Sequence, residues 1–384
     1  MPQDPLADSV APVSDLARTR SPVSPEEGSA LCLSGGGYRA MLFHTGVLWR
    51  MHDAGLLRTL KRVSSVSGGT LTAALLAKKW NAVYGPAAPA SAFVDEIVTP
   101  IRKFAHVSVD VAAVGKGALL PGTISEYVAD AYDDHLFKGA TLQSIPDDAP
   151  RFVFNATNVQ SGALWRFSKP YMGDYLVGRV SNPNVRLADA AAASSAFPPF
   201  LSPATLVAKD WAWMPVTTET LHMAPFTNKV MLTDGGVYDN LGLETAWKRY
   251  STLLVSDAGQ KMSADGSPAE DWGRHAKRVL DLVDNQVRSL RKRQLVDAFK
   301  AGVRKGAYWG IRTDIRDYGV PTLPCPVDRT QALASIPTRL SSLDDVSQER
   351  LINWGYAVCD AALRSWVDPS LGPATGFPYP SSSV

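Results

Sequence analysis

Three short segments hold the residue types that can do chemistry. Ser67 is the centre of Ser65-Val66-Ser67-Gly68-Gly69, Asp234 opens Asp234-Gly235-Gly236, and an unbroken glycine run begins Gly35-Gly36-Gly37-Tyr38-Arg39. A carbonyl under nucleophilic attack develops negative charge on its oxygen, and donors fixed in advance stabilise that charge best. Gly35, Gly36 and Gly37 lack Cβ atoms, so their N–H groups can turn toward one point and let a substrate approach the backbone. Ser67 lies in a G-x-S-x-G-like frame, in which a strained turn needs small residues two before and two after the serine. Ser65 and Gly69 meet that need. Asp234 supplies a carboxylate that could take the serine proton, and Arg39 could steady the glycine loop or neutralise a phosphate.

Each segment also has a plainer meaning. A triple glycine can cradle a nucleotide phosphate. Here no Gly-Lys-Ser/Thr follows, and Ala40 stands where a dinucleotide loop needs its last glycine. Asp-Gly pairs close turns, while Ser64, Ser65 and Thr70 suit turn and cap chemistry. Asp257, in Ser256-Asp257-Ala258-Gly259, ends the next strand and rivals Asp234 as the base. Of the six histidines, only His275 follows Asp234 as a Ser-Asp-His order requires, and it lies among Arg274, Lys277 and Arg278 on a helical stretch. His44 falls within the helix after the glycine loop, where a packing role fits better. The pattern therefore favours a serine–carboxylate pair without histidine.

The elements around these residues are strands and helices in alternation. Ser29–Leu33 reads as a buried strand and Tyr38–Ala54 as the following helix; Val63–Val66 and Gly69–Trp80 repeat the unit. Further strands are expected at Arg151–Ala156, Ala163–Ser168, Lys229–Thr233 and Thr252–Ser256, with helices near Arg186–Ser194 and Asn240–Tyr250. Strands alternating with helices imply a largely parallel sheet covered on both faces, with the three segments at its carboxyl edge. From Asp271 to about Lys305 the spacing is that of an amphipathic helix, apolar through Val279, Leu282, Val283, Val287, Leu290, Leu295 and Phe299. Its Arg288, Arg291, Lys292 and Arg293 form either a solvated face or a contact for anionic lipid head-groups or another phosphate-bearing partner.

The chain has 384 residues, 45% hydrophobic and 20% charged, with 39 basic against 37 acidic side chains. That length and composition suit one large globular domain, and the net charge of +2 argues against bulk nucleic-acid binding. Cys32, Cys325 and Cys359 show neither a disulfide framework nor metal spacing, so no metal or other cofactor is expected. No apolar stretch approaches the roughly 20 residues that span a bilayer, and Met1-Pro2-Gln3-Asp4 lacks the features of a signal peptide. The expected organisation is a flexible arm over 1–27, a catalytic unit over 28–367 and a flexible tail over 368–384. The unit divides into a core over 30–258 and a helical extension over 270–367. The expected location is cytoplasmic. Val107–Leu120 and the aromatic stretch from Trp211 to Phe226 are each either buried core or a loop that meets a membrane interface.

With these motifs in place, the chain resembles the patatin-like phospholipases, and its glycine loop is most similar to the cytosolic phospholipase branch. The likeness runs from about Ala30 to Ala258 and includes Ala193-Ser194-Ser195-Ala196-Phe197-Pro198-Pro199-Phe200, similar to a segment that such families carry between serine and aspartate. It departs from the family at Ser65 and at Ala40, where glycines are usual. The resemblance implies a three-layer α/β/α fold with a helical C-terminal part. It implies Ser67 as nucleophile, Asp234 as base and Gly35, Gly36 and Gly37 as the oxyanion hole assisted by Arg39, with Ser65, Gly68, Gly69, Gly235 and Gly236 as support. The reaction implied is hydrolysis of fatty-acyl esters of phospholipids at a membrane surface visited transiently. An esterase for lysophospholipid, neutral lipid or soluble ester is an alternative, as is a bacterial membrane-damaging effector that a small molecule or protein activates. Self-association is left open.

Overall fold

The computed structural model describes residues 25–110, 123–216 and 221–384. The expected arm over 1–27 lies almost wholly outside the described residues, as does most of Val107–Leu120. Strand β1 (Glu26–Leu33) leads into helix α1 (Gly37–Asp53), and β2 (Leu60–Val66) into α2 (Gly68–Tyr84). After β3 (Arg151–Asn158) come four strands and one helix: β4 (Leu164–Phe167), β5 (Tyr171–Asp174), β6 (Gly178–Ser181), α3 (Leu187–Ser194) and β7 (Ala204–Val207). The chain continues through β8 (Trp213–Met214), β9 (Lys229–Asp234), β10 (Tyr250–Asp257), α4 (Trp272–Lys300), β11 (Lys305–Gly310) and α5 (Asp345–Trp366).

The sheet runs β11-β10-β1-β2-β3-β4-β5-β6-β8, with β9 pairing β3 and β7. Its centre, from β11 to β3, is parallel, and every pair beyond β3 is antiparallel. The expected α/β class and parallel centre are therefore present. Apolar runs such as Ala30-Leu31-Cys32-Leu33 are fully buried, as strands covered on both faces must be.

One pairing positions the site. Along β3, Asn155 pairs with Val66 of β2 and the next residue, Ala156, pairs with Asp234 of β9. β2 runs parallel to β3 and β9 antiparallel to it, so their carboxyl ends meet head-on beside one strand. Asp234 was expected on a parallel strand pointing the same way as β2. Its strand instead runs the opposite way, because β3 outlasts β2 and takes a second partner.

The C-terminal part is not simply helical: β11 adds an edge strand there, parallel to β10. Helix α5 lies against α1 so closely that a Cβ at Gly46 would strike the Ile352 carbonyl, and one at Gly355 the Phe43 carbonyl. Arg50 of α1 meets Asp360 of α5 at 2.7 Å, both buried, and Arg364 approaches the same carboxylate at 2.8 Å. The expected flexible tail is packed too. The Asn353 side chain donates to the carbonyls of Tyr379 and Ser383 at 2.8 and 2.7 Å, and Val384 is buried. Among the described residues no helix is long and apolar enough to cross a membrane.

Helix α4 spans Trp272–Lys300 but is turned differently from its expected setting. Val279, Leu282, Val283 and Leu290 are exposed, whereas Arg288 and Leu295 are buried. The cause lies beneath it. Arg291 pairs with buried Glu244 at 3.0 Å and lies 3.6 Å from buried Asp239, carboxylates that need a counter-charge. Trp211 and Trp213 are half-buried, and the Trp213 indole donates to the Ala208 and Thr227 carbonyls at 3.1 and 3.2 Å. Residues 217–220 of that aromatic stretch lie outside the described residues.

Candidate active site

Ser67 is the single residue between β2 and α2, with φ 51° and ψ −124°. Such a backbone is costly for any residue but glycine and persists only where its surroundings enforce it. Three contacts enforce it here. The Ser67 N–H donates to Ser194 Oγ at 3.0 Å, and the Ser194 hydroxyl donates to the Asn155 carbonyl at 2.7 Å. Ser194 Oγ also lies 2.9 Å from Thr70 Oγ1, which in turn is 3.0 Å from Ser65 Oγ. The third is close packing: a Cβ at Gly68 would strike the Gly37 carbonyl, and one at Gly69 would lie 2.6 Å from the Ser34 carbonyl. Gly235 is equally confined, since its Cβ would run into the Asn155 carbonyl.

Asp234 is 3% exposed and Ser67 7%, and the Ser67 hydroxyl lies close enough to the Asp234 carboxylate to favour its charged form. Burial pushes the Asp234 carboxyl up from 3.8 to about 7. The Gly236 N–H, donating to its Oδ1 at 2.7 Å, and the Ser67 hydroxyl pull the other way, while the negative charge of Asp284 on α4 adds to the rise. The Thr157 hydroxyl donates to the Asp234 main-chain carbonyl at 2.9 Å, fixing the residue to β3. The result is a carboxyl poised to hold or release a proton near neutrality beside a strained serine.

The glycine loop meets the serine from β1. A Cβ on Gly35 would lie 3.1 Å from that of Ser67. The Gly35 N–H, however, is already given to the Asn240 carbonyl at 3.1 Å, so the expected three donors reduce to two. Gly36, at φ 143°, and Gly37, at φ 59°, have no hydrogen-bond acceptor for their N–H groups among the described residues. The expectation for Arg39 also changes. Its side chain is wholly buried, donating to the Ala258 carbonyl through Nε and Nη2 at 3.2 and 2.9 Å, to Thr338 Oγ1 at 2.9 Å and to the Ile336 carbonyl. It braces the loop from behind, with four of its five N–H groups given to these acceptors.

Asp257, the rival base, is turned to other partners: it accepts from the Gly259 N–H and from the Tyr308 hydroxyl, each at 2.8 Å. His44 is buried between Ser256 Oγ and the Ser34 carbonyl, both at 3.0 Å, and burial lowers it to about 4. It is a neutral packing residue. His275 is exposed on α4. Sequence reasoning did not assign roles to Asn155, Asn240 or Asp284. The Asn155 side chain donates to Ser64 Oγ and the Ser65 carbonyl at 2.9 Å, and no local pattern marks it. Ser194 had a signal, the Ala-Ser-Ser-Ala segment, but its bond to the serine turn depends on the fold.

This arrangement defines an α/β protein with a strained serine and a buried carboxyl at the edge of its sheet. The chain belongs to the patatin-like phospholipase family, whose model matches residues 31–247. No curated protein sequence matches it. Among solved structures, it is similar to human GIVD cytosolic phospholipase A2, with 13% identity, a TM-score of 0.49 and coverage of 87% of this chain and 61% of that one. It is also similar to VipD from Legionella pneumophila, with 14% identity, a TM-score of 0.32 and coverage of 86% and 74%. The type III effector protein ExoU shows 14% identity, a TM-score of 0.29 and coverage of 86% and 54%. The chain thus spans about three-fifths of the human protein's length.

Proposed function

We propose that this protein is a lipid acyl hydrolase that cleaves fatty-acyl esters of phospholipids through an acyl-enzyme on Ser67, with residues 28–367 as its catalytic unit. The observation that carries the reading is the strained Ser67, brought by the β2 and β9 pairings with β3 beside a buried Asp234 carboxyl raised to about 7. Membership of the patatin-like phospholipase family supports the substrate class.

In this reading Ser67 Oγ attacks the ester carbonyl carbon as its proton passes to the Asp234 carboxylate. Negative charge on the carbonyl oxygen is met by the Gly36 and Gly37 N–H groups and by the positive N-terminal end of α1. The C–O bond to the lipid then breaks, and Asp234 returns the proton to the departing alcohol, which leaves as a lysophospholipid. Water attacks the acyl-serine, Asp234 takes a proton from that water, and fatty acid leaves as the Ser67 hydroxyl is restored. Asp234 must be ionised at the start and protonated midway, which a carboxyl balanced near neutrality does at small cost. The protein works in the cytoplasm and meets the membrane peripherally.

The 7% exposure of Ser67 favours a second feature: a long acyl chain needs the site to open further before it can reach the serine. That agrees with control by an activating molecule or partner. The test is mass-spectrometric detection of fatty acid and lysolipid released from mixed-phospholipid liposomes, with Ser67→Ala in parallel. Release by the wild type that vanishes in the variant supports the reading. Equal release by both proteins overturns it.

A further inference from the structure

A cavity of about 440 Å³ opens at the carboxyl ends of β10 and β11 under α4. Its walls carry four cationic side chains, Lys261, Arg288, Lys292 and Arg312, against one carboxylate, Asp257. None of the four has a carboxylate within ion-pair distance among the described residues. Asp257 is spent on the Tyr308 hydroxyl and the Gly259 amide. Arg312 donates to Gln331 Oε1 and the Ala334 carbonyl at 3.1 and 3.2 Å, but its Nε is buried with no acceptor. Lys292 Nζ stands 4.4 Å from the Tyr308 ring centre and Arg288 donates to the Gln260 carbonyl. Of the four, Arg288 is buried, Arg312 half-buried and the two lysines exposed, and the negative charges that act on the arginines are those of Asp284 and Asp257. The positive charges still outnumber these carboxylates and repel one another: Arg288 and Arg312 each help depress the Arg39 guanidinium, which burial lowers to about 10.

We propose that this cavity binds an anionic small molecule carrying phosphate groups, held by Arg288, Lys292 and Arg312. Guanidinium forks suit phosphate oxygens, a lysine adds a mobile point charge, and Ser289, Asn285 and Thr313 offer neutral hydrogen bonds around the rim. The volume falls in the ~300–1,000 Å³ range of ordinary small-molecule sites. The cavity is separate from the serine site but shares a wall with it. Residues 257–260 face the cavity through Asp257 and Gly259, and face the glycine loop through the Ala258 carbonyl, which Arg39 holds. A ligand that draws Arg288 and Arg312 inward tightens this segment and, through Arg39, the loop that carries Gly36 and Gly37. The binding claim stands apart from the hydrolase reading, whereas its effect on turnover rests on that reading.

The test is calorimetric titration of the full chain with inorganic pyrophosphate at fixed ionic strength. Lys292→Gln and Arg312→Gln are compared alone and together, with Lys292→Arg as the conservative control. Thermal unfolding checks that each variant is folded, and because Lys292 is exposed, its variant remains informative if Arg312→Gln unfolds. The proposal expects saturable binding with one site, weakened at least tenfold by Lys292→Gln, more by the pair, and largely restored by Lys292→Arg. A second arm measures co-sedimentation with phosphatidylcholine vesicles containing phosphatidic acid. Variant-sensitive vesicle binding that pyrophosphate displaces assigns a lipid head-group, and pyrophosphate binding without it assigns a free phosphate compound. No pyrophosphate binding by the wild type, or binding that Lys292→Gln leaves unchanged, overturns the proposal whether or not the protein hydrolyses lipid.

Discussion

Replacing Asp234 by asparagine separates the cost of the buried carboxyl from its use. Below about pH 3.8 the carboxyl is neutral in both folded and unfolded chains and imposes nothing. Between 3.8 and about 7 the unfolded chain releases this proton while the folded chain keeps it, so folding stability falls as pH rises. Above the folded value the deficit levels off, and raising one carboxyl from 3.8 to about 7 corresponds to about 4 kcal/mol. Asparagine cannot ionise, and its amide oxygen can keep the Gly236 N–H bond while its NH₂ faces Ser67 Oγ. Wild type and Asp234→Asn should therefore unfold alike near pH 4. By pH 8 the variant should be the more stable, by up to about 4 kcal/mol or, for a chain of 384 residues, about 5 °C in Tm. Differential scanning calorimetry of both proteins across that range reads the gap directly, since other titrating groups cancel in the comparison. The same substitution should lower kcat/KM about 10²–10⁴-fold. Two unfolding curves that stay parallel from pH 4 to pH 8 would refute the claim that burial holds this carboxyl near neutrality.

The other predictions concern the parts that hold the pair in place. In the wild type, kcat/KM should climb with pH through about 7 and then level, because the ionised Asp234 is the base; a flat profile above pH 5 argues against it. Ser194→Ala removes the acceptor of the Ser67 N–H and the donor to the Asn155 carbonyl. It should cost roughly 2–4 kcal/mol in denaturant unfolding and at least tenfold in kcat, with KM little changed. Gly36→Ala places a Cβ 2.9 Å from the Ala258 carbonyl at φ 143°. Displacing that loop should lower kcat about 10²–10³-fold, the range seen when an oxyanion donor is lost. On α4, Val283→Glu should leave Tm within about 1 °C, whereas Leu295→Glu, which buries a lone charge, should lower it by several degrees. The reverse order would mean that the helix is turned the other way.

The local parts of this architecture were legible in the sequence. Both strand–turn–helix units around Gly35–Gly37 and Ser67 were readable because glycine requirements and apolar runs are written within a few residues. Ser67 and Asp234 stood out for the same reason. What escaped depends on residues far apart in the chain. The direction of β9 follows from β3 continuing past the end of β2, and no periodicity in Lys229–Thr233 reports that. Strands β5 to β8 are short and antiparallel, with little alternation to read. The orientation of α4 could not be taken from its own stripe, because the deciding carboxylates, Asp239 and Glu244, lie in another segment. The bond from Gly35 to Asn240 and the use of Arg39 as a brace are likewise tertiary facts, and they leave Gly36 and Gly37 as the proposed oxyanion donors.

The central claim is that Ser67 carries the acyl group, and a covalent trap tests it most directly. Wild type, Ser67→Ala and Asp234→Asn proteins are incubated with a long-chain alkyl fluorophosphonate, digested and mapped by tandem mass spectrometry. The account predicts one adduct, on the Ser67 peptide of the wild type, absent from Ser67→Ala and formed far more slowly in Asp234→Asn. An adduct on another residue, or equal labelling of Ser67 with and without the Asp234 carboxyl, would contradict it.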